Sequence, residues 1–401
     1  MRYLPFFLLI FSFPLGVLSR FSINPSIHIY IHDVFVVIIL SLFVQEIGNY
    51  LFHARSKVLS AFAGLSVISI IGIVTHVNSV QELEVSILYM LRLFAYILIM
   101  VPLFSAPHTI LIKLKNSMLI SGFIFVAFGY LQYIFYPNLR NLYYLGWDEH
   151  LSRLFSTLLD PNFSGIFILL VFILFLSQSV YKFKTSKIFA KTFYICGVVF
   201  LSVALLLTYS RSVYITSIIV LITYFYAVGY KKFAGIILGC FVVGIVFLPQ
   251  GLGGEGVNLF RTASIFARFD ANMQGVIIFL QNPIFGVGYN TLRFVQSDYG
   301  FINTYNALNS NAAAGFPNSY IVILATTGVL GFSLVSFIFY RLWKWIALVR
   351  LQRVHASLAN CVYASFLAIL VSSLFENTLF YGLILLWFVL EIGILKGLSK
   401  A

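Results

Sequence analysis

Long apolar runs separated by short polar segments recur along almost the whole chain. A helix needs about 20 mainly apolar residues to cross the hydrocarbon core of a bilayer, whereas the strands of an outer-membrane barrel give short alternating segments. The pattern therefore predicts an all-α, polytopic integral membrane protein, with residues 1–401 forming one membrane domain of about twelve transmembrane helices. The predicted spans lie near residues 4–19, 27–45, 58–76, 86–106, 116–136, 162–181, 192–209, 211–229, 233–249, 318–340, 359–375 and 378–395.

The composition leads to the same class of protein. Hydrophobic residues make up 61% of the chain and charged residues only 9%, whereas soluble domains carry about 25% charged residues. Such a chain cannot cover a water-exposed surface with polar groups, so a soluble fold is excluded. The spacing of Cys196, Cys240 and Cys361 is typical of neither a metal site nor a disulfide framework.

The basic residues are distributed unevenly between the loops on the two sides of the predicted membrane spans. The formal net charge is +13, which by itself would permit nucleic-acid binding. All the lysines, however, fall in one set of alternate loops, as the positive-inside rule requires of cytoplasmic loops. The distribution predicts that both termini are cytoplasmic and that the basic loops contact membrane lipids, with no nucleic-acid partner.

The opposite, outer face carries basic residues of another type. Each of them is arginine, whose planar guanidinium can bind phosphate through two hydrogen bonds, whereas the lysine ammonium is a point charge. The outer arginines therefore indicate an anionic, phosphate-bearing ligand outside. They are Arg20, Arg92, Arg140, Arg153, Arg211, Arg261, Arg268 and Arg293.

Two predicted outer loops are unusually long, at residues 137–161 and 250–317. Long loops in compact proteins are usually functional or have their own structure. The second, between spans nine and ten, is the large periplasmic loop. It contains a predicted amphipathic helix that either lines a cavity mouth or only packs on the spans. The apolar stripe of this helix is Phe269, Met273, Val276, Ile277 and Leu280.

Four segments at the outer ends of spans combine polar residues with helix-start signals. They are Arg153 to Asn162, Thr208-Tyr-Ser-Arg211, Arg268 with Asn282 to Asn290, and Pro317 to Gly331. Arg211 begins a helix whose free N–H groups and positive dipole end also attract anions. Because an arginine at membrane depth is costly unless it is solvated or paired, we assign Arg211 a functional role; the alternative is an interfacial arginine.

In this order, the four segments resemble the O-antigen ligase and polymerase superfamily of bacterial membrane glycosyltransferases, and most of all its O-antigen polymerases. The resemblance implies a substrate, an oligosaccharide repeat unit linked to undecaprenyl pyrophosphate, which is used on the periplasmic side of the inner membrane. It implies no metal and no cofactor. A chain-length regulator is a further candidate partner.

The resemblance also assigns roles to residues. Arg211 and Arg268 match the superfamily's motif arginines and are the predicted catalytic residues, which would stabilise the departing pyrophosphate. We further assign substrate contacts to four residues, of which Tyr289 would stack on a sugar. They are Arg153, Arg293, Asn318 and Tyr289.

One departure from the superfamily bears on the reaction. Its ligases carry a histidine directly before the asparagine of the fourth segment, where this chain has Pro317. Proline cannot accept a proton, so the sequence favours a polymerase and leaves three candidate bases: Asp160, Asp270 and Glu376. The alternatives are a ligase that transfers lipid-linked glycan to lipid A core, and a transporter or flippase, for which no related halves are visible in the sequence.

Overall fold

A computed structural model describes residues 2–24, 27–53, 57–139, 150–183, 185–247, 257–258, 262–303, 312–352 and 355–400, most of which are helical. Two outer arginines, Arg140 and Arg261, lie outside the described residues. So do large parts of the predicted loops at 137–161 and 250–317.

Fifteen α-helices follow one another within the described residues. They are α1 Leu4–Ser12, α2 Ile31–Leu42, α3 Val44–His53, α4 Lys57–His76, α5 Val80–Leu98, α6 His108–Phe135, α7 Pro161–Lys182, α8 Ile188–Leu207, α9 Arg211–Val228, α10 Lys231–Val246, α11 Ala263–Gln281, α12 Leu292–Asp298, α13 Ser319–Leu351, α14 Ala356–Ser372 and α15 Gly382–Leu398.

Seven of these helices are long and apolar enough to cross a bilayer, namely α4 to α9 and α13. The pair α2 and α3 would make an eighth crossing, with a 70° bend at the break between them. The other predicted spans correspond to shorter helices, α1, α10, α14 and α15. The chain is thus a mostly helical, multi-pass membrane protein, while the count of twelve spans and the cytoplasmic termini stay predictions.

A small hairpin departs from the all-α prediction. Strands β1 Arg20–Asn24 and β2 Ile27–Tyr30 pair in antiparallel fashion, with Arg20 opposite Tyr30. The predicted second span at 27–45 therefore begins as a strand. The carboxylate of Asp33 then accepts a hydrogen bond from the Tyr30 backbone N–H (2.8 Å), which starts α2. The end of β2 lies against α5, where Arg92 donates a hydrogen bond to the His28 carbonyl oxygen (3.4 Å).

Helix α7 forms the centre of the fold. Almost all of it is buried, and it packs against α6, α8, α9 and α14. A helix that is apolar on every side is expected at such a position. In its N-terminal half Phe167 contacts the ring of Trp387, with 5.0 Å between ring centroids. The rigid start of α7, just after Asp160, is therefore well suited to hold functional side chains.

The third and fourth sequence segments form one structural joint. Helix α13 is broken at Gly328, where φ is 60°. The freed backbone is hydrogen-bonded by the 283–288 segment: Gly288 N–H donates to Thr326 O (2.8 Å) and Val329 N–H donates to Pro283 O (2.8 Å). An added Cβ on Gly286 would lie 2.4 Å from the Thr326 backbone. The glycines of both segments therefore serve this backbone contact.

Candidate active site

A cavity of about 760 Å³ lies between α5, α11 and α15 and reaches the start of α7 and the end of β2. This volume is within the range of small-molecule sites. Its polar lining falls into two groups. We call Asp160, Arg268 and Glu376 the acid–arginine cluster, and Tyr30, Tyr89, Arg92 and Tyr289 the tyrosine–arginine cluster.

The acid–arginine cluster is built on an ion pair between α11 and the segment after α14. Arg268 donates one hydrogen bond to the Glu376 carboxylate and another to the Phe375 carbonyl oxygen (2.9 Å). The Ser212 hydroxyl lies 3.5 Å from the same Glu376 oxygen. Burial raises the pKa of Glu376 to about 7; Asp160 adds to the rise and Arg268 opposes it. Glu376 is thus poised to exchange a proton near neutral pH.

Asp160 begins α7 and contributes a second carboxyl group. Its Oδ1 accepts hydrogen bonds from the backbone N–H groups of Asn162 (2.6 Å) and Phe163 (3.2 Å), as expected of an N-cap residue. Burial raises the pKa of Asp160, and these two hydrogen bonds, Arg153 and Arg268 partly offset the rise. Asp160 therefore interacts electrostatically with Glu376, while its side chain caps the start of α7.

The 208–211 segment forms the tight link between α8 and α9. Tyr209 has a left-handed backbone (φ 49°). The Ser210 hydroxyl donates to the Asn162 amide oxygen (2.6 Å), which ties the link to the start of α7. Arg211 donates to the Ser264 hydroxyl (2.7 Å) at the start of α11. It also lies close enough to Arg268 for the two charges to repel each other.

Arg153 supports this link from behind. The side chain is buried, and its guanidinium donates to the carbonyl oxygens of Thr208 (2.9 Å) and Tyr209 (3.3 Å). These carbonyls end α8 and have no partner in the next turn of the helix. The geometry therefore shows the Arg153 guanidinium holding the link that precedes Arg211, and its predicted substrate contact stays a prediction.

The remaining predicted residues are divided among three places. Tyr289 lines the cavity in the tyrosine–arginine cluster. Arg293 is buried in α12, close enough to Tyr89 of that cluster for their charges to interact. Asn318 caps α13 by accepting hydrogen bonds from Tyr320 N–H (2.9 Å) and Ile321 N–H (3.2 Å). Asp270 is exposed on α11 and does not line the cavity.

The sequence singled out Tyr289 and Arg92 of the tyrosine–arginine cluster, but it did not predict that they would meet Tyr30 and Tyr89. Arg92 forms an ion pair with Asp33 (2.9 Å), and its guanidinium carbon lies 5.1 Å from the ring centre of Tyr30. His32 also lines the cavity and stacks on Tyr30. The adjacent polar residues His32 and Asp33 at the start of a predicted span could have indicated a site. Their contact with Arg92 of α5 is long-range in sequence, so the pattern could not predict it.

Two further observations concern the chemistry of the lining. Pro317 lines the cavity, so a basic side chain at position 317 would also face it. Within the described part of the chain, no group of three His, Cys, Asp or Glu side chains could hold a metal ion.

Comparison with known protein families finds a match in the central part of the chain. Residues 196–336 match the family model of O-antigen ligase. The matched stretch contains Arg211 and Arg268 and both glycine segments, whereas Asp160 and Glu376 lie outside it. No curated protein matches the chain. The match confirms the resemblance to the O-antigen ligase and polymerase superfamily and supports a function of that type, common to ligases and polymerases.

Proposed function

We propose that this protein joins oligosaccharide repeat units linked to undecaprenyl pyrophosphate, on the periplasmic side of the bacterial inner membrane, to build O-antigen or a related surface polysaccharide. The observation that carries the proposal is the Arg268–Glu376 pair in the cavity wall, with Arg211 beside it. It combines a buried carboxylate, which can accept a proton, with two guanidinium groups, which can stabilise a departing diphosphate.

The reaction forms a bond between an acceptor hydroxyl oxygen and the anomeric carbon of the donor sugar. The bond from that carbon to the diphosphate oxygen breaks, and its electron pair leaves with the diphosphate. Arg211 and Arg268 would stabilise the charge that develops there, an effect typically worth several kcal/mol in a preorganised site. The hydroxyl proton passes to the Glu376 carboxylate.

The ion pair couples these two events. While Glu376 is ionised it holds Arg268, and once it has taken the acceptor proton its hold weakens. Arg268 then becomes available to the diphosphate as the negative charge on that group grows. No metal and no cofactor are needed for this sequence of steps.

A polymerase is favoured over a ligase by the residue at position 317. Ligases of the superfamily share a histidine at this position, whereas this chain has a proline that lines the cavity. The proton must therefore go to another group, and Glu376 is the buried, ion-paired carboxylate available. The second candidate function remains a ligase in which Glu376 replaces that histidine.

The test is the length distribution of surface glycan, read on a gel, in a strain that lacks this protein. We expect the deletion to leave core carrying a single repeat, and the wild-type gene to restore the ladder. Accumulation of lipid-linked polymer with no repeat on the core would instead identify a ligase. A complemented strain carrying Arg341→Gln, an exposed arginine on α13, is the matched control and should give a normal ladder.

A further inference from the structure

The wall of the cavity that carries Glu376 also carries a group of aromatic rings. Phe380 and Tyr381 follow Glu376 in the short segment between α14 and α15, and both line the cavity. The ring of Phe380 lies against that of Tyr289, with 5.5 Å between centroids, and Tyr381 stacks on Phe163 of α7 at 4.1 Å. We call Phe163, Tyr289, Phe380 and Tyr381 the aromatic corner. It gives the wall with the proposed base an extended aromatic surface.

The aromatic corner is held in place by the backbone on either side of it. Tyr289 directly follows Gly288, whose N–H donates to a carbonyl oxygen of α13 (2.8 Å). Next to Phe380, the N–H of Leu379 donates to the Ser319 hydroxyl (3.2 Å), and this hydroxyl donates to the backbone carbonyl oxygen of Glu376 (3.2 Å). The rings are therefore positioned before a ligand arrives, which lowers the entropic cost of binding.

The arginines in the described lining of the cavity are both paired with acids. Arg92 forms an ion pair with Asp33 (2.9 Å). Arg268 forms one with Glu376. The other acid in the lining, Asp160, caps α7. Because the described lining has no unpaired arginine and no lysine, it favours a neutral group at the aromatic corner over an anion.

A polar side chain beside the aromatic corner has an unsatisfied atom. Asn377 directly follows Glu376 and lines the cavity. Its Oδ1 is enclosed by protein and has no hydrogen-bond partner among the described residues, although buried polar atoms are normally hydrogen-bonded. A sugar hydroxyl can donate to such an oxygen. Aromatic walls with a few well-placed polar groups are the usual construction of a small-molecule site.

We infer that the aromatic corner and Asn377 form the subsite for the acceptor sugar, and that this sugar is neutral. The inference rests on the proposed function, in which Glu376 must lie within hydrogen-bond reach of the acceptor hydroxyl to take its proton. The sugar that carries this hydroxyl then lies beside the residues that follow Glu376. The aromatic corner packs against the apolar face of the sugar ring, and Asn377 accepts a hydrogen bond from a neighbouring hydroxyl.

The test measures, by calorimetry, how purified protein binds the free repeat unit, released by mild acid from the lipid-linked repeats of the deletion strain. Phe380→Leu removes the ring but stays apolar, and Asn377→Ala removes the amide. Each should weaken binding about threefold to tenfold. Phe380→Tyr, which keeps the ring, and Phe189→Ala, which truncates an exposed phenylalanine of α8, should stay within about twofold of the wild type. Linkage analysis of the wild-type polymer should show that the joining bond is made to a neutral sugar.

A second probe separates the subsite from the proposed transfer centre. Farnesyl diphosphate carries the diphosphate without a sugar, so its binding should fall in Arg268→Gln and stay unchanged in Phe380→Leu and Asn377→Ala, which also shows that these two variants are folded. Wild-type binding of the repeat unit by both variants would overturn the subsite, as would an acidic sugar at the joining bond or a wild-type protein that does not bind the repeat unit. Loss of the repeat unit in both variants, with unchanged farnesyl diphosphate binding in Arg268→Gln, would support the subsite and contradict the proposed diphosphate site.

Discussion

Glu376 shows how one buried side chain can acquire a chemical role from its surroundings. The carboxylate is held by the guanidinium of Arg268 and approached by the hydroxyl of Ser212. Desolvation alone would keep it protonated, whereas the guanidinium stabilises the ionised form. The opposing effects leave its pKa near 7, where a carboxyl can both accept and release a proton in the cell.

This balance predicts the pH dependence of transfer. Glu376 must be ionised to accept the hydroxyl proton, so the rate should rise as the pH increases through about 7 and then level off. Below that pH the carboxyl is protonated and the rate falls. Initial rates measured from pH 5 to 9 with purified protein and lipid-linked repeats test this expectation.

The matching substitution is Glu376→Gln, which keeps the shape and removes the base. We expect a loss of about 10²-fold or more, because general bases contribute roughly 10²–10⁴-fold, and the remaining rate should lose the rise near pH 7. Asp270→Asn changes an exposed acid on α11 and should stay within about twofold of the wild type. A Glu376→Gln enzyme with the wild-type profile would rule out this base.

The sequence was informative about residues only up to a point. Segment order was enough to select Arg211 and Arg268, which the fold brings together. It could not rank Asp160, Asp270 and Glu376, because burial and ion pairing depend on contacts between elements far apart in the chain. For the same reason the sequence did not reveal that the Arg153 guanidinium, predicted as a substrate contact, donates hydrogen bonds to two carbonyl oxygens of the 208–211 segment.

At the scale of elements, the broken helix α13 is the least ordinary feature. Its break at Gly328 leaves backbone groups that must be satisfied at membrane depth, where each unpaired group costs several kcal/mol. The 283–288 segment provides the partners, with hydrogen bonds of 2.8–2.9 Å to residues 325–329. The joint fixes the position of α12, which follows directly and borders the cavity.

This joint predicts that Gly286→Ala is strongly destabilising. Gly286 has φ of +66°, and an added Cβ would lie 2.4 Å from Thr326 C and Thr327 N. Backbone strain and overpacking of this kind cost about 1–3 kcal/mol each, which a melting curve in detergent would detect. Gly48→Ala in α3, where nothing lies within 4 Å, is the control and should melt at or above the wild-type temperature. Equal melting of both variants would contradict the joint.

Elements were predicted better than their details. The apolar runs located most of the helices, and amphipathic spacing predicted a helix in the loop at 250–317. That helix is α11, on which Arg268 faces the cavity while Phe269 is exposed. Apolarity could not reveal strand β2 at Ile27–Tyr30 or the 70° bend between α2 and α3. Both depend on tertiary contacts, which local hydrophobicity does not record.

At the scale of the whole molecule, transfer on the periplasmic side requires the cavity to face the periplasm. The hairpin that borders the cavity should then be outside, and the basic link between α7 and α8 should be in the cytoplasm. In a variant that lacks Cys196 and Cys240, Ser22→Cys should react with a membrane-impermeant maleimide in cells whose outer membrane alone is permeabilised. Thr185→Cys should react only after the inner membrane is also opened. The reverse pattern would invert the topology.

The central claim is that Arg268 and Glu376 together form the transfer centre. The most direct measurement is the initial rate at which purified protein in nanodiscs releases undecaprenyl pyrophosphate from lipid-linked repeats isolated from the deletion strain. For Arg268→Ala we predict a fall of about 10²–10³-fold, with the exposed Arg341→Ala close to the wild type. An Arg268→Ala protein that is folded and retains a rate within about threefold of the wild type would contradict the account.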